Sequence, residues 1–487
     1  MRTRFLLSWA IGLGLLLPLA AGPSPSLGDD RVQEPDDQAP VTRLTIHPAA
    51  EPSPALRYRL LPSLIDTRPG NAAVFYNKAC LMYSEANDRN KELQKLAEWL
   101  DAPIESLSLA EAAEYVGQFN ELFRELTYAS LREDCDWQTP LREQPPYSIL
   151  LPEVQTMRGM ARLVAAKARL EIAQGKTDDA LRSLTIGYAM ARHIARGPTL
   201  IQSLVGMAIA GVMTNQAREM SQRPDGPNLY WAYTSLPYPF VSLTRANEFE
   251  FDMFYFWHPE WRKREGNAFS AAEWQRMWDA LASGMIELGV IENDHRWSGG
   301  AGRLMLIGRA IRHYPQAKRW LLERGRSEDE VEQMPVAQVL MIYTLDTYDE
   351  LRDERFKLAG LPYWQIHDRL REENVQLRRL SDEREVMPLA GTLLPAISNV
   401  ALAQGRSDRN FCLARIVEAL RLYAAAHDGR LPERLGDVSE VPIPGDPVTG
   451  GDFVYRLSGG TAVLETPLPQ GLLQRQHGLR YEITVAR

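Results

Sequence analysis

The chain is poor in cysteine: Cys80, Cys135 and Cys412 are the only three among 487 residues. That is too few for a disulfide framework, and none stands at the paired spacing of a zinc site. If two of them join in an oxidising compartment, Cys80 with Cys135 is the expected pair. An excess of positive charge is missing as well, since 55 lysines and arginines face 63 acidic residues for a net charge of -8. Both signs are interspersed, so no basic face tracks a phosphate backbone and nucleic acid is not an expected partner. The chain also lacks a nucleophile elbow, a histidine pair at helical i, i+4 spacing, and a phosphate loop. Gly299, Gly300 and Gly302 follow no strand and read as a plain loop. No residue is expected to be catalytic, and no cofactor or metal is expected.

What is present begins with a charged and apolar amino terminus. Arg2 and Arg4 precede an almost wholly apolar run from Phe5 to Ala21, and Gly22, Pro23 and Ser24 follow. That order is the layout of a secretory signal peptide, so residues 1–22 are read as a signal peptide or retained anchor. The expected location is extracytoplasmic, in the periplasm or cell envelope, with membrane contact only through an uncleaved segment. Residues 23–54 are rich in proline and acidic side chains and read as a flexible spacer. Within them Leu44 and Ile46 flank Thr45 at the period of an extended segment with one buried face.

With 45% hydrophobic residues the rest can bury a large core. Residues 55–236 predict a helical domain, with helices over 72–84, a broken series over 91–131, and 154–173. Pro103 supplies the break, and Ser108 with Glu111 has capping-box spacing. The organising stretch is Pro198 to Met220, whose Leu200, Ile201, Leu204, Val205, Met207, Ile209, Val212 and Met213 occupy every side of a helix. A helix apolar all round is expected to be buried. Its apolar run falls short of the roughly 20 residues a bilayer needs. Pro198 suits a first helical turn, while Gly206, Ala210 and Gly211 are small enough for close helix contact.

Residues 237–390 predict a second helical region, with helices over 271–290, 303–312, 316–324, 335–358 and 361–384. Asp346, Asp349, Glu350 and Asp353 share one side of the fourth, with Arg352 and Arg355 nearby, as on a salt-bridged face. Its amino-terminal part holds the candidate ligand groove: Phe249, Asp252, Tyr255, Trp257, His258, Glu260 and Trp261. Rings beside carboxylates suit amphipathic ligands such as sugars or peptides, although large aromatics also serve as core. His258 with Glu260, and Glu292 with Asp294 and His295, contain metal-ligating residue types without metal-site spacing. Residues 391–487 then predict one helix carrying Leu413, Ile416, Val417, Leu420 and Tyr423, followed by turns and short strands over 453–457, 461–465 and 480–486.

Two local resemblances refine this outline. Ala168, Gly175, Ala180, Leu181, Leu184 and Gly187 stand at the spacing of one tetratricopeptide-like helical hairpin, with Glu171 where an aromatic is usual. Ala419, Leu420, Tyr423, Gly429, Pro432, Leu435, Pro444, Asp446, Pro447, Gly450, Phe453 and Tyr455 resemble the globular part of type II secretion major pseudopilins. That resemblance implies a helix laid on a small antiparallel sheet. The acidic loop that completes a calcium site in those pseudopilins has no counterpart near Glu465 to Pro469, and the prepilin leader is missing. Together with Leu56, Tyr58, Leu60, Leu61 and Pro62 ahead of Gly70 and Asn71, and Gly197, Pro198 and Thr199, these features resemble an uncharacterised family of large exported bacterial proteins.

The expected fold is mainly α, a hairpin-packed tetratricopeptide-like body with a small carboxy-terminal α+β module. The expected role is a non-enzymatic extracytoplasmic scaffold that binds another envelope protein. The alternative is a hydrolase or carbohydrate-binding enzyme that uses residues 248–261.

Overall fold

The computed structural model describes residues 37–85, 89–143, 145, 149–264, 269–287, 300–387 and 389–486. The amino-terminal apolar run, Gly299, and the group of Glu292, Asp294 and His295 lie outside the described residues. The described chain is mainly helical, with a small carboxy-terminal sheet.

Strand β1 (Val41–Ile46) is the first element of the described residues, and β2 (Arg68–Asn71) pairs with β3 (Arg132–Asp134). Between β2 and β3 lie α1 (Ala73–Glu85), α2 (Arg89–Asp101), α3 (Leu109–Gly117) and α4 (Asn120–Ser130). Ser108 does stand at the start of α3, but its side chain makes no capping bond. Glu111, which the capping pattern assigns to it, is drawn instead to Lys95 at 2.5 Å.

Helices α5 (Pro152–Ala173) and α6 (Thr177–Ala195) are joined by three residues, which favours an antiparallel hairpin. Gly175 lies at φ +69, the left-handed conformation that lets a helix end tightly. Glu171, the unusual residue of the hairpin, is buried and accepts from Ser183 Oγ at 2.6 Å while pairing with Lys167. A polar anchor therefore occupies the place of a ring.

The hub is α7 (Leu200–Ser221), and Pro198 lies outside it. Thr199 is the capping residue: its Oγ1 accepts from Gln202 N and Gln202 Oε1 accepts from Thr199 N, both at 3.2 Å. Glu250 Oε1 accepts from Leu200 N at 3.2 Å, placing a carboxylate where the helix dipole is positive. Gly206 is a close-approach position, because a Cβ there would lie 2.5 Å from Ala191 O and 2.7 Å from Ala195 Cβ. Burial is not complete, however. Ile201, Leu204, Ala208, Gly211 and Val212 are only half-buried, and a Cβ on Gly211 would meet nothing within 4 Å. One apolar strip of the hub faces open space.

Helix α8 (Tyr230–Thr234) closes the first region, and the second comprises α9 (Thr244–Trp257), α10 (Ala271–Glu287), α11 (Gly300–Glu323), α12 (Glu328–Gln333), α13 (Val336–Phe356) and α14 (Tyr363–Arg384). The two helices expected over 303–324 are one, since α11 continues through Pro315. The capping box of Ser327 and Glu330 is formed in full.

Helix α15 (Leu389–Ala426) crosses the boundary between body and module. Its later part lays Leu413, Ile416, Val417 and Leu420 under a sheet of order β1-β6-β5-β4, in which β4 is Val454–Ser458, β5 Thr461–Glu465 and β6 Arg480–Val485. The short α16 (Gln474–His477) precedes β6. Strands β4, β5 and β6 are antiparallel, but β1 joins β6 in parallel, with Leu44 opposite Ile483. Residues 41–46 are therefore not spacer, and the sheet is mixed. Leu44 and Ile46 are buried in its core, which is why the alternating segment docks. Arg421, fully buried, donates to His47 O, Pro227 O and Gly226 O and to Glu418 Oε2, which ties the amino-terminal segment, the α7–α8 connection and α15 together. The carboxy-terminal module shares its helix and sheet with the rest of the chain. All three cysteines are free, so Cys80 and Cys135 are not joined.

Candidate functional site

The aromatic stretch chosen from sequence forms α9 and the 3-10 turn Pro259–Arg262. Its rings separate at once. Phe249 and Trp261 are buried in the main core, as is Phe254, whose ring meets that of Tyr348 edge-on at 6.0 Å. His258 stacks on Trp261 at 4.1 Å, Trp257 meets His258 edge-on, and His258 Nδ1 lies 3.0 Å from Glu260 Oε1. Asp252 turns elsewhere, toward Arg262 and Arg352. Asp252, His258 and Glu260 do not converge, so they form no acid–base constellation.

Asp252 and Tyr255 instead line a cleft of about 690 Å³ with α13 and the end of α11. Five guanidinium groups border it: Arg262, Arg264, Arg324, Arg326 and Arg352. Three carboxylates are interleaved with them, Asp252, Asp346 and Asp349. Arg264 donates to Asp346 at 2.5 Å and pairs with Asp349, while Arg352 reaches Asp252 at 2.8 Å and Asp349 at 2.9 Å. Tyr255 Oη donates to Asp349 Oδ1 at 2.8 Å. Burial, then the Asp349 charge, pushes the Tyr255 hydroxyl above its usual range, so it acts as a donor at neutral pH. Burial works against the Arg264 charge, but Tyr255, Asp346 and Asp349 outweigh it, and this arginine titrates above its ordinary value.

The rim is less engaged than the floor. Arg262 shares Asp252 with Arg352 and is 58% exposed, and Arg324 is paired with Glu350 while its guanidinium sits 3.5 Å over the Trp320 ring. Arg326 makes no ion pair among the described residues and lines the cleft half-buried. The acidic face of α13 foreseen from sequence thus carries ion pairs, but it is the floor of a recess. The arginines were not foreseen as site residues; Arg352 was read only as part of the salt-bridged face, and the other signals are the run Arg262, Lys263, Arg264 and the pair Arg324, Arg326. A fixed guanidinium fork next to aromatic faces recognises carboxylates or phosphates by two parallel hydrogen bonds.

Among the described residues no group of three or more histidines, cysteines or acids stands close enough to hold a metal ion. No helix among them is long and apolar enough to cross a membrane. Comparison with protein-family models, with curated proteins and with solved structures gave no match.

Proposed function

We propose that the chain is an exported helical binding protein of the bacterial envelope, and that its arginine-lined cleft holds an acidic segment of another envelope protein. The observation that carries this is Arg326, which lines the recess without an acidic partner among the described residues, beside four further guanidinium groups that are paired with acids. Arginine and large aromatics are the residues that dominate protein interfaces, and here Trp320 and Tyr255 stand beside them. The half-buried pairs of Arg264 and Arg352 hold the floor in one geometry, so little order has to be gained on binding. Export rests on the amino-terminal charged and apolar run.

The test is calorimetric titration of the full chain with a synthetic peptide alternating glutamate and tyrosine, at low and high salt, beside a lysine–tyrosine peptide. The acidic peptide should bind, lose affinity as salt rises, and lose about tenfold with Arg326→Glu, the scale of one charged hydrogen bond. Equal binding of both peptides, or an acidic peptide indifferent to Arg326→Glu, would overturn the reading.

A further inference from the structure

The open strip of the hub has a definite chemistry. Between α7, α15 and β6 lies a cavity of about 800 Å³, within the range of small-molecule sites. On α7 its lining is apolar from Leu204 to Val212 and polar from Thr214 to Glu219. On α15 it starts with Asn399, Leu402 and Ala403 and passes to Arg406, Ser407, Arg409 and Asn410. At 1.5 Å per residue, the apolar part of α7 precedes its polar part along the axis, while on α15 the charged pair Arg406 and Arg409 follows Leu402 and Ala403, with Asn399 before them and Ala414 after. The polar parts gather at the sheet: Arg218 hydrogen-bonds Tyr481 Oη, and the charges of Arg406 and Arg409 bear on His477.

That polar end is built for a negative charge. Arg409 is 1% exposed, and Asp446 and Pro467 O take its Nε and Nη2, yet its Nη1 is buried with no partner among the described residues. His477 Nδ1 is likewise buried and unpaired among the described residues. Arg406 lines the same space and makes no ion pair among the described residues, and burial together with Arg409 holds its pKa below the ordinary value. Burying a guanidinium nitrogen without an acceptor is costly, and two adjacent cations repel, so an anion in the cavity relieves both. The acids on the lining are Glu219, near Arg169 at 3.6 Å, and Asp101.

We infer that this cavity is a binding site for a single-chain amphiphile with an anionic head, a carboxylate or phosphate held by Arg406, Arg409 and His477 and an aliphatic chain laid along Leu204, Ala208 and Val212. The site is separate from the arginine-lined cleft and does not depend on its role. It explains why the hub is apolar on every side although one side is not packed by protein.

Full-length protein stripped of bound lipid is titrated with palmitate, dodecyl phosphate, dodecyltrimethylammonium and inorganic phosphate, with binding read by native mass spectrometry and calorimetry. Palmitate, dodecyl phosphate or both should bind one to one, the head that binds tighter naming the source. The cationic amphiphile and inorganic phosphate should bind at least about tenfold more weakly. Arg406→Gln should weaken the anionic amphiphile about tenfold, since it removes a charged hydrogen bond. Gly211→Phe should block the chain while the far-ultraviolet dichroism stays unchanged, because its Cβ enters open space. Binding of neither anionic amphiphile, or equal binding of the cationic one, overturns the inference. So does inorganic phosphate as tight as dodecyl phosphate, or undiminished binding to a folded Gly211→Phe.

Discussion

Arg409 and Asp446 form a two-pronged pair across the junction of α15 and the turns before β4, with Nε to Oδ1 at 2.8 Å and Nη2 to Oδ2 at 2.6 Å, both side chains essentially withdrawn from water. Val448 N and Thr449 Oγ1 donate to the same carboxylate. Each Asp446 oxygen already has two donors, so this carboxylate is committed to an arginine and to the turn that follows it. Calcium prefers six or more oxygen ligands. The melting temperature of the full chain should therefore be the same in calcium and in chelator. Arg409→Met should destabilise by about 3 to 5 kcal/mol, because it leaves a buried carboxylate unpaired. Thermal melts read both outcomes, and a calcium-dependent rise would count against this role for Asp446.

Gly206 and Gly211 lie about 1.4 turns apart on α7 and meet opposite circumstances. A side chain at Gly206 strikes the Ala191 carbonyl, whereas one at Gly211 meets nothing. Gly206→Leu should cost roughly 1 to 3 kcal/mol through overpacking. Gly211→Leu should leave the chemical-denaturation midpoint near wild type. Similar midpoints for the two variants would contradict the packing described for α6 and α7.

Removal of residues 41–46 should unfold the carboxy-terminal sheet. Leu44 and Ile46 are buried against α15, and burial of such side chains contributes about 1.5 to 3 kcal/mol each. A fragment spanning 409–487 alone should be unstructured by amide hydrogen exchange, and one carrying β1 on a flexible linker should protect β6. A folded fragment without β1 would show that the parallel pairing is dispensable.

Two buried groups give stability opposite slopes with pH. Burial raises Asp408 to about 7, with its hydrogen bond from Phe240 N acting against that rise. The folded state then holds this proton more tightly than the unfolded chain. Its contribution is complete below about pH 4, the ordinary carboxylate range, and is lost as pH rises through 7. His193 is lowered to about 3 by burial and by Arg196 and Arg192, so its contribution is complete above about pH 6.5 and is lost as pH falls toward 3. Asp408→Asn keeps the acceptor for Phe240 N and should raise stability at pH 8 by up to about 4 kcal/mol while flattening the decline between pH 4 and 7. Denaturant titrations at several pH values measure this, and an unaltered slope would mean that Asp408 is ionised without penalty.

Helix positions were legible where periodicity and punctuation agreed. Ala73–Glu85, Pro152–Ala173 and the strongly charged Tyr363–Arg384 lie close to the expected helices, and Thr461–Glu465 follows its alternation. The break expected between 312 and 316 is absent: Pro315 removes one hydrogen bond inside α11, a loss tolerated where Leu306, Ala317, Trp320 and Leu321 bury one face of the helix. Ser108 was misleading in another way: the box spacing is present, but Lys95 competes for Glu111.

The candidate site was half legible. Asp252 and Tyr255 are in the cleft, but Phe249 and Trp261 are core, and the arginines that give the cleft its charge come from three separate segments. No local pattern links Arg262 with Arg326 or Arg352.

The sequence by itself determined the mainly helical class, the central place of the α7 helix, and the helix-plus-strand character of the carboxy terminus, because hydrophobic period and turn chemistry act within a few residues. Tertiary structure alone decided that β1 completes the last sheet, that Arg409 claims Asp446, and that one apolar strip of α7 faces a cavity. Those outcomes depend on contacts between positions up to hundreds of residues apart, where the gain from burial or ion pairing is set by which surfaces meet.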